Sequence, residues 1–173
     1  RTADRPMVRI FAVVLAVVLG PAKAAWLQSV KPEPSKAASL HSVRAARVAS
    51  APVMKIEDGV VGVGVIGAGR IGLVHLEALS ACECANAVII SNPTVTKAEA
   101  AANKYRLDAF SSDAMDVITH PDVEAVWICS PSQYHAEQIK ACAAAGKHVF
   151  CEKPIATDLA ETIEAINACN EAG

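Results

Sequence analysis

One segment constrains the fold of this chain more than any other: a strand-like run leads directly into three closely spaced glycines and then into a helical pattern. Residues 60–66, VVGVGVI, have the length and the β-branched content of a buried strand. They lead into a G-x-G-x-x-G motif whose glycines are Gly67, Gly69 and Gly72. The helical pattern carries apolar side chains at Ile71, Val74, Leu76 and Leu79. This order of elements indicates the start of a parallel α/β sheet.

The three glycines each meet a different physical requirement. Gly67 permits a tight turn, Gly69 lets the backbone approach a pyrophosphate closely, and Gly72 lets the helix pack against the strand. The N–H groups and the dipole of the first helical turn would then face that anion. Because the motif has a strand before it and a helix after it, it predicts a dinucleotide-binding site.

Strands and helices continue to alternate along the rest of the chain. Strands are predicted at residues 87–90, 108–110, 123–129 and 148–151, and helices at residues 96–105, 112–119, 132–145 and 157–172. Thr157 or Asp158 can cap the last helix, with Glu161 completing a capping box. The alternation predicts an α/β fold in which a doubly wound parallel sheet of the Rossmann type occupies residues 59–173.

Composition narrows the functional class. The chain has 173 residues, of which 53% are hydrophobic and only 4% aromatic, so one domain with an aliphatic core is expected. Its formal net charge is -2, and its lysines and arginines form no long basic stripe. Nucleic acid is therefore not expected as a partner.

Six cysteines all lie in the second part of the chain. They are Cys82, Cys84, Cys129, Cys142, Cys151 and Cys169. The last four fall inside predicted strands or helices, where a free cysteine behaves as a small hydrophobic residue. Neither C-x-x-C nor a zinc-ligand spacing is present, so no metal site is predicted. Cys82 and Cys84 are separated by a single residue, and for this pair a disulfide is the alternative.

Two segments with the composition of targeting sequences precede the domain. Residues 1–24 hold Arg9, ten apolar residues at 10–19 and a small-residue A-x-A site, as in a secretory signal. The apolar run is too short to span a bilayer, so no stable membrane anchor is expected. Residues 25–58 are rich in Ala, Ser and Lys or Arg, which is typical of a transit peptide or of a disordered linker. Together they suggest import into a plastid through the secretory pathway, with a cytoplasmic or secretory location as the alternative.

The residue at the expected ribose position is not an acid. Asn92 lies 20 positions beyond Gly72, where Rossmann units usually place an Asp or Glu on the adenosine ribose. A neutral amide can bind a ribose hydroxyl but does not repel a 2′-phosphate, so NADP is as plausible a cofactor as NAD. Lys97 or Arg70 could pair with that phosphate, or could be solvated surface charges.

Three segments together resemble the Gfo/Idh/MocA oxidoreductase family, and within it the inositol 2-dehydrogenases. They are VIGAGRIGLVH at 65–75, CSPSQYH at 129–135 and GKHVFCEKPIA at 146–156. The resemblance implies that Gly67, Gly69, Arg70, Ile71 and Gly72 surround the pyrophosphate. It also implies that Ser130, Pro131 and His135 lie near the nicotinamide, and that Glu152 and Lys153 line the junction of cofactor and substrate.

Lys153 is the candidate catalytic residue, and part of its role can be argued from its position. It follows a predicted strand at the sheet edge where α/β folds bind ligands, and an ammonium there can hold a substrate hydroxyl as its proton leaves. Pro154 restricts Lys153 to an extended backbone. The alternative is a surface lysine ahead of a helix.

The histidines are less informative than Lys153. His135 could touch the nicotinamide ribose or merely cap its helix, and His75 is interpreted as a packing or surface residue. His120 falls in a predicted loop, and His148 has no assigned role.

The resemblance also implies a second domain that we expect this chain to lack. Members of the family carry the substrate pocket in a following α/β domain, whereas this chain ends on the helix before the family's next strand. We therefore expect a nicotinamide-dependent dehydrogenase of sugars or polyols such as myo-inositol, with little turnover by this chain alone and homo-oligomers formed through the other domain. The competing hypothesis is a non-catalytic nucleotide-binding or regulatory module.

Overall fold

The structure is a computed structural model, and it describes residues 59–173. Along this part of the chain, strands and helices alternate in the order β1 Val61–Ile66, α1 Arg70–Ser80, β2 Ala85–Ser91, α2 Val95–Tyr105, β3 Ala109–Ser111, α3 Ala114–Ile118, β4 Ala125–Ile128, α4 His135–Ala144, β5 His148–Cys151 and α5 Leu159–Ala172. A 3-10 turn at Ser132–Tyr134 leads into α4. The predicted signal and transit segments lie outside the described residues.

The five strands form one parallel sheet in the order β3-β2-β1-β4-β5. The chain winds outward from β1 to β3 and then crosses back to place β4 on the other side of β1. Between β1 and β4 the strand order reverses, which opens a crevice beyond their carboxyl ends. The predicted doubly wound fold is thus confirmed, and the glycine turn after β1 lies at that crevice.

Helices cover both faces of the sheet, each over its own hydrophobic core. On one face α1 and α2 pack through Leu76, Leu79 and Ala98 against Val63 and Trp127. On the other face α3, α4 and α5 bury residues against β1 and β4. These include Val117, Ile118, Ile139, Cys142 and Ala165 from the helices and Ile66, Val126 and Ile128 from the strands. The central strands are buried on both faces, which explains why they consist of almost uninterrupted apolar residues.

Several helix boundaries differ from the predicted ones because local hydrogen bonds decide them. The helix predicted at 112–119 begins only at Ala114, since the Asp113 side chain accepts the N–H of Met115 at 2.9 Å and caps it. The predicted cap at Asp158 is confirmed, because its carboxylate accepts the N–H of Glu161 at 2.9 Å. The helix predicted from 132 opens as a 3-10 turn and becomes α-helical at His135.

Helix α1 buries a different stripe from the one that its apolar residues suggest. Leu76 and Leu79 are buried as expected, but Ile71 is 42% exposed and Val74 is 58% exposed. The helix lies on the sheet through Gly72, Leu76 and Leu79. That contact leaves Ile71 and Val74 exposed.

All six cysteines are free thiols. The sulfurs of Cys82 and Cys84 lie 3.1 Å apart without a disulfide between them. Burial raises the pKa of Cys129, Cys142 and Cys151 to about 12, so these thiols stay protonated at neutral pH. Between residues 59 and 173 the structure contains no cluster of three or more potential metal ligands. The same residues include no helix with the length and apolarity needed to cross a membrane.

Candidate dinucleotide-binding site

The turn after β1 can be formed only with glycine at two of its positions. Gly67 has φ 106°, and a Cβ there would lie 2.6 Å from the carbonyl oxygen of Cys129 at the end of β4. A Cβ at Gly72 would lie 1.9 Å from the carbonyl oxygen of Gly67. The N–H of Gly67 also donates to the Ser91 carbonyl oxygen at 2.7 Å, which ties the turn to β2. The turn is therefore held rigidly against both neighbouring strands.

Gly69 differs from the other two glycines because the space in front of it is open. A Cβ built on Gly69 meets no atom of the described residues within 4 Å. Gly69 is also the N-cap of α1, where no side chain caps the helix and no acidic residue lies in the first turn. The first-turn N–H groups have no partner within the helix and point at this space. An anion such as a pyrophosphate fits this arrangement, with Arg70 and Ile71 exposed beside it.

Asn92 supports the glycine turn through its side chain. Its Oδ1 accepts the N–H of Ala68 at 3.2 Å, and its Nδ2 donates to the carbonyl oxygen of Thr94 at 3.1 Å. The amide retains one lone pair and one hydrogen for a further partner, so its contact with a ribose stays a prediction. Lys97, on α2, is exposed.

A side-chain hydrogen bond from the loop after β4 to helix α4 fixes this loop. Ser130 Oγ donates to Gln138 Oε1 at 2.6 Å, and Pro131 is exposed. Gln138 was not among the predicted site residues. Its only sequence signal is its place on the helix that follows this loop. The hydroxyl of Ser130 is thus oriented by a side chain that only the folded structure brings close to it.

His135 lies inside the protein rather than on a ligand-facing surface. It is 1% exposed, and its Nδ1 and Nε2 lie 2.7 Å from the Pro154 carbonyl oxygen and 2.8 Å from the Ser130 carbonyl oxygen. It makes no capping hydrogen bond, because Tyr134 is the N-cap and no side chain caps α4. Both ring nitrogens are therefore engaged with backbone, and the ring connects the loops after β4 and β5.

Glu152 is paired with a histidine that the sequence interpretation assigned to packing or to the surface. Nε2 of His75, on α1, lies 2.6 Å from Glu152 Oε1, and the His75 ring meets the edge of Phe150. The hydrogen bond from His75 is the main reason that the pKa of Glu152 is held below its usual value. The second oxygen, Oε2, accepts the N–H of Lys153 at 3.3 Å. His75 therefore links the pyrophosphate-facing helix to the residue before Lys153.

Lys153 is exposed immediately beyond the carboxyl end of β5, and its peptide bond to Pro154 is cis. The glycine turn follows β1, the Ser130–Pro131 loop follows β4, and Lys153 follows β5. Because these three strands are neighbours and parallel, the structure brings the predicted site residues to one edge of the sheet.

Comparison with known proteins agrees with this geometry. The Gfo/Idh/MocA oxidoreductase family, described as having an NAD-binding Rossmann fold, matches residues 61–173. An uncharacterized oxidoreductase of Bacillus subtilis, YrbE, is 39% identical over 64% of this chain and 32% of its own length. A myo-inositol 2-dehydrogenase of Thermotoga maritima is 37% identical over 64% of this chain and 33% of its own length.

A solved structure shows the same fold with ligands in place. The scyllo-inositol dehydrogenase of Lactobacillus casei, crystallised with NAD(H) and scyllo-inositol, superimposes with a TM-score of 0.63 at 28% identity. That comparison covers 65% of this chain and 34% of the other. The chain thus spans about a third of the length of these relatives. Since the family match extends over the whole described sheet, this chain belongs to the Gfo/Idh/MocA oxidoreductases, and residues 61–173 form their NAD-binding Rossmann-fold domain.

Proposed function

We propose that this chain supplies the cofactor-binding part of a dehydrogenase that moves hydride between a nicotinamide dinucleotide and a hydroxyl-bearing carbon of a sugar or polyol, with an inositol as the leading candidate. The observation that carries the proposal is the open space at Gly69, in front of an uncapped helix and on the same sheet edge as Lys153. The named activities of the relatives support the same reaction class.

Different residues of this chain would bind the pyrophosphate, the adenosine ribose and the nicotinamide half of the dinucleotide. The N–H groups of the first turn of α1, with Arg70, would hold the pyrophosphate over Gly69. Asn92 would reach the adenosine ribose, and Ser130 and Pro131 would border the nicotinamide half. When bound, the nicotinamide ring supplies the hydride chemistry, and the protein supplies orientation.

Lys153 would act on the substrate rather than on the cofactor. A lysine ammonium at this edge can donate hydrogen bonds to a substrate hydroxyl and stabilise the alkoxide character that develops as the hydroxyl proton leaves. Glu152 is its neighbour in the chain, but the Glu152 carboxylate is hydrogen-bonded to His75. We therefore assign the contact with the substrate hydroxyl to Lys153 and not to Glu152. We expect this chain by itself to bind dinucleotide and to turn over little or no polyol.

Titration of the 173-residue chain with NADH, followed by nicotinamide fluorescence, tests the binding half of the proposal. We expect saturable binding that ADP, which carries the adenosine and pyrophosphate groups, displaces. NADPH serves as the comparison ligand, and binding of both cofactors is expected from a neutral amide at Asn92. Absence of NADH binding would refute the proposal, and rapid myo-inositol-dependent reduction of NAD by this chain would contradict the expected division of labour.

A further inference from the structure

We propose that His135 is a positioning residue whose ring clamps the loop after β4 to the loop after β5, and so sets the nicotinamide-side residues Ser130 and Pro131 against Lys153. The inference rests on the proposed function for its consequence on cofactor binding. The clamp itself rests on the geometry of the folded chain.

The two contacts of His135 join the loops beyond the point where β4 and β5 stop pairing. The Ser130 carbonyl belongs to the residue before Pro131, and the Pro154 carbonyl belongs to the residue after Lys153. The acceptors lie 5 and 19 positions away in the chain, and the ring between them is buried. Each loop therefore loses a backbone restraint if the ring is removed.

Both partners of the ring are carbonyl oxygens, which only accept hydrogen bonds. The imidazole ring always carries at least one N–H, so it can donate to one of these oxygens while its other nitrogen lies within 3 Å of the second. The ring therefore bridges the two loops through a hydrogen bond to one carbonyl oxygen and a close contact with the other.

A second contact from the same helix strengthens the assignment. Gln138 lies three residues after His135 on α4 and accepts the hydroxyl of Ser130 at 2.6 Å. Residues three apart on a helix share a face, so the first turn of α4 grips Ser130 at its carbonyl and at its side chain. The glycine turn, by contrast, is hydrogen-bonded to Ser91 at the end of β2 and to Asn92 just after it, and neither of these bonds involves His135.

Because the hydrogen bonds of the two regions are separate, we expect a ligand-dependent effect that a general loss of structure would not produce. In His135→Gln, the affinity for NADH should fall roughly tenfold, as expected when a buried carbonyl loses its hydrogen-bond partner, because the nicotinamide half loses its ordered border. The affinity for ADP, which reaches only the glycine turn and the ribose site, should stay within about twofold of the unsubstituted chain. The matched control is His148→Gln, at the amino end of β5 and thus at the opposite edge of the sheet, which should change neither affinity.

The titrations separate the inference from the function on which it rests. Equal losses for NADH and ADP in His135→Gln, or no loss for either, would overturn the positioning role. A chain without substitutions that binds neither ligand would refute the proposed function instead.

A second measurement tests the clamp without any ligand and without a variant that has to fold. Long-range ¹H–¹⁵N spectra of the histidine rings should show a ring N–H of His135 that exchanges slowly with water, because the ring is buried and hydrogen-bonded. A His135 ring N–H that exchanges with water as fast as that of an exposed histidine would overturn the clamp, whatever the outcome of the titrations.

Discussion

A methyl group at Gly69 should separate cofactor binding from folding. Gly69 has φ -80° and ψ -180°, a conformation that alanine adopts without strain. A Cβ there meets nothing within 4 Å in the described residues. The methyl would instead project into the space through which the pyrophosphate is expected to pass.

The stability cost of Gly69→Ala can be worked out from two opposing terms. Alanine is a poorer N-cap than glycine, at a cost of roughly 0.5–1 kcal/mol. It also lowers the conformational entropy of the unfolded chain, which contributes roughly 0.4–1 kcal/mol in favour of folding. These terms nearly cancel, so the free energy of unfolding should change by less than about 0.5 kcal/mol.

Gly72→Ala is the matched contrast, three residues further along the same motif. Its Cβ would lie 1.9 Å from the Gly67 carbonyl oxygen, and a backbone atom cannot move aside as a flexible side chain can. Overpacking of this kind costs about 1–3 kcal/mol or more. For a domain of this size, that corresponds to a fall in Tm of at least about 4 °C.

Thermal unfolding by circular dichroism measures the effect of each substitution on folding, and titration with NADH measures its effect on cofactor binding. Gly69→Ala should melt within about 2 °C of the parent chain but bind NADH at least tenfold more weakly, which corresponds to about 1.4 kcal/mol of lost binding free energy. Gly72→Ala should melt earlier. If Gly69→Ala binds NADH as tightly as the parent, the pyrophosphate does not pass over Gly69, and the reasoning from the open space is refuted.

Three further predictions concern the acid stability, the cofactor preference and the location of the protein. The His75 hydrogen bond lowers the pKa of Glu152 below its ordinary 4.5. The pair therefore stabilises the folded state fully above about pH 4.5, and this contribution is lost as the pH falls through the lowered pKa. His75→Phe should therefore show a smaller decline in Tm between pH 5 and pH 3 than the parent, and an equal decline would contradict the pairing. Asn92→Asp should weaken NADPH binding relative to NADH, because a carboxylate repels a 2′-phosphate; an unchanged ratio would place Asn92 away from the ribose. Residues 1–58 fused to a fluorescent protein should enter a plastid that is reached through the secretory pathway, and a uniform cytosolic signal would rule this out.

The fold was predictable because its determinants are local. The strand before the glycines, the helical pattern after them and the cap at Asp158 each depend on residues within a few positions of one another. The boundaries were less exact where a competing hydrogen bond decides them, as at Asp113. The exposure of Ile71 and Val74 was not predictable, because their apolar character does not show which side of α1 the sheet will cover.

The connections within the candidate site were not predictable in the same way. His75 and Glu152 lie 77 positions apart, and Ala68 and Asn92 lie 24 apart. Nothing in the local pattern indicates that these pairs meet. They meet because the strand order places β1 between β2 and β4, and because α1 crosses the face of the sheet on which Phe150 lies.

The sequence by itself determined that this chain forms a parallel α/β sheet with a glycine turn for a pyrophosphate, because periodicity and backbone sterics act over short stretches of chain. Only the tertiary structure decided what holds that turn and the two loops beside it: Asn92 on Ala68, His75 on Glu152 and His135 between Ser130 and Pro154. Hydrogen bonds between distant segments depend on how strands are ordered and which helix faces are covered, and these are properties of the whole packed domain.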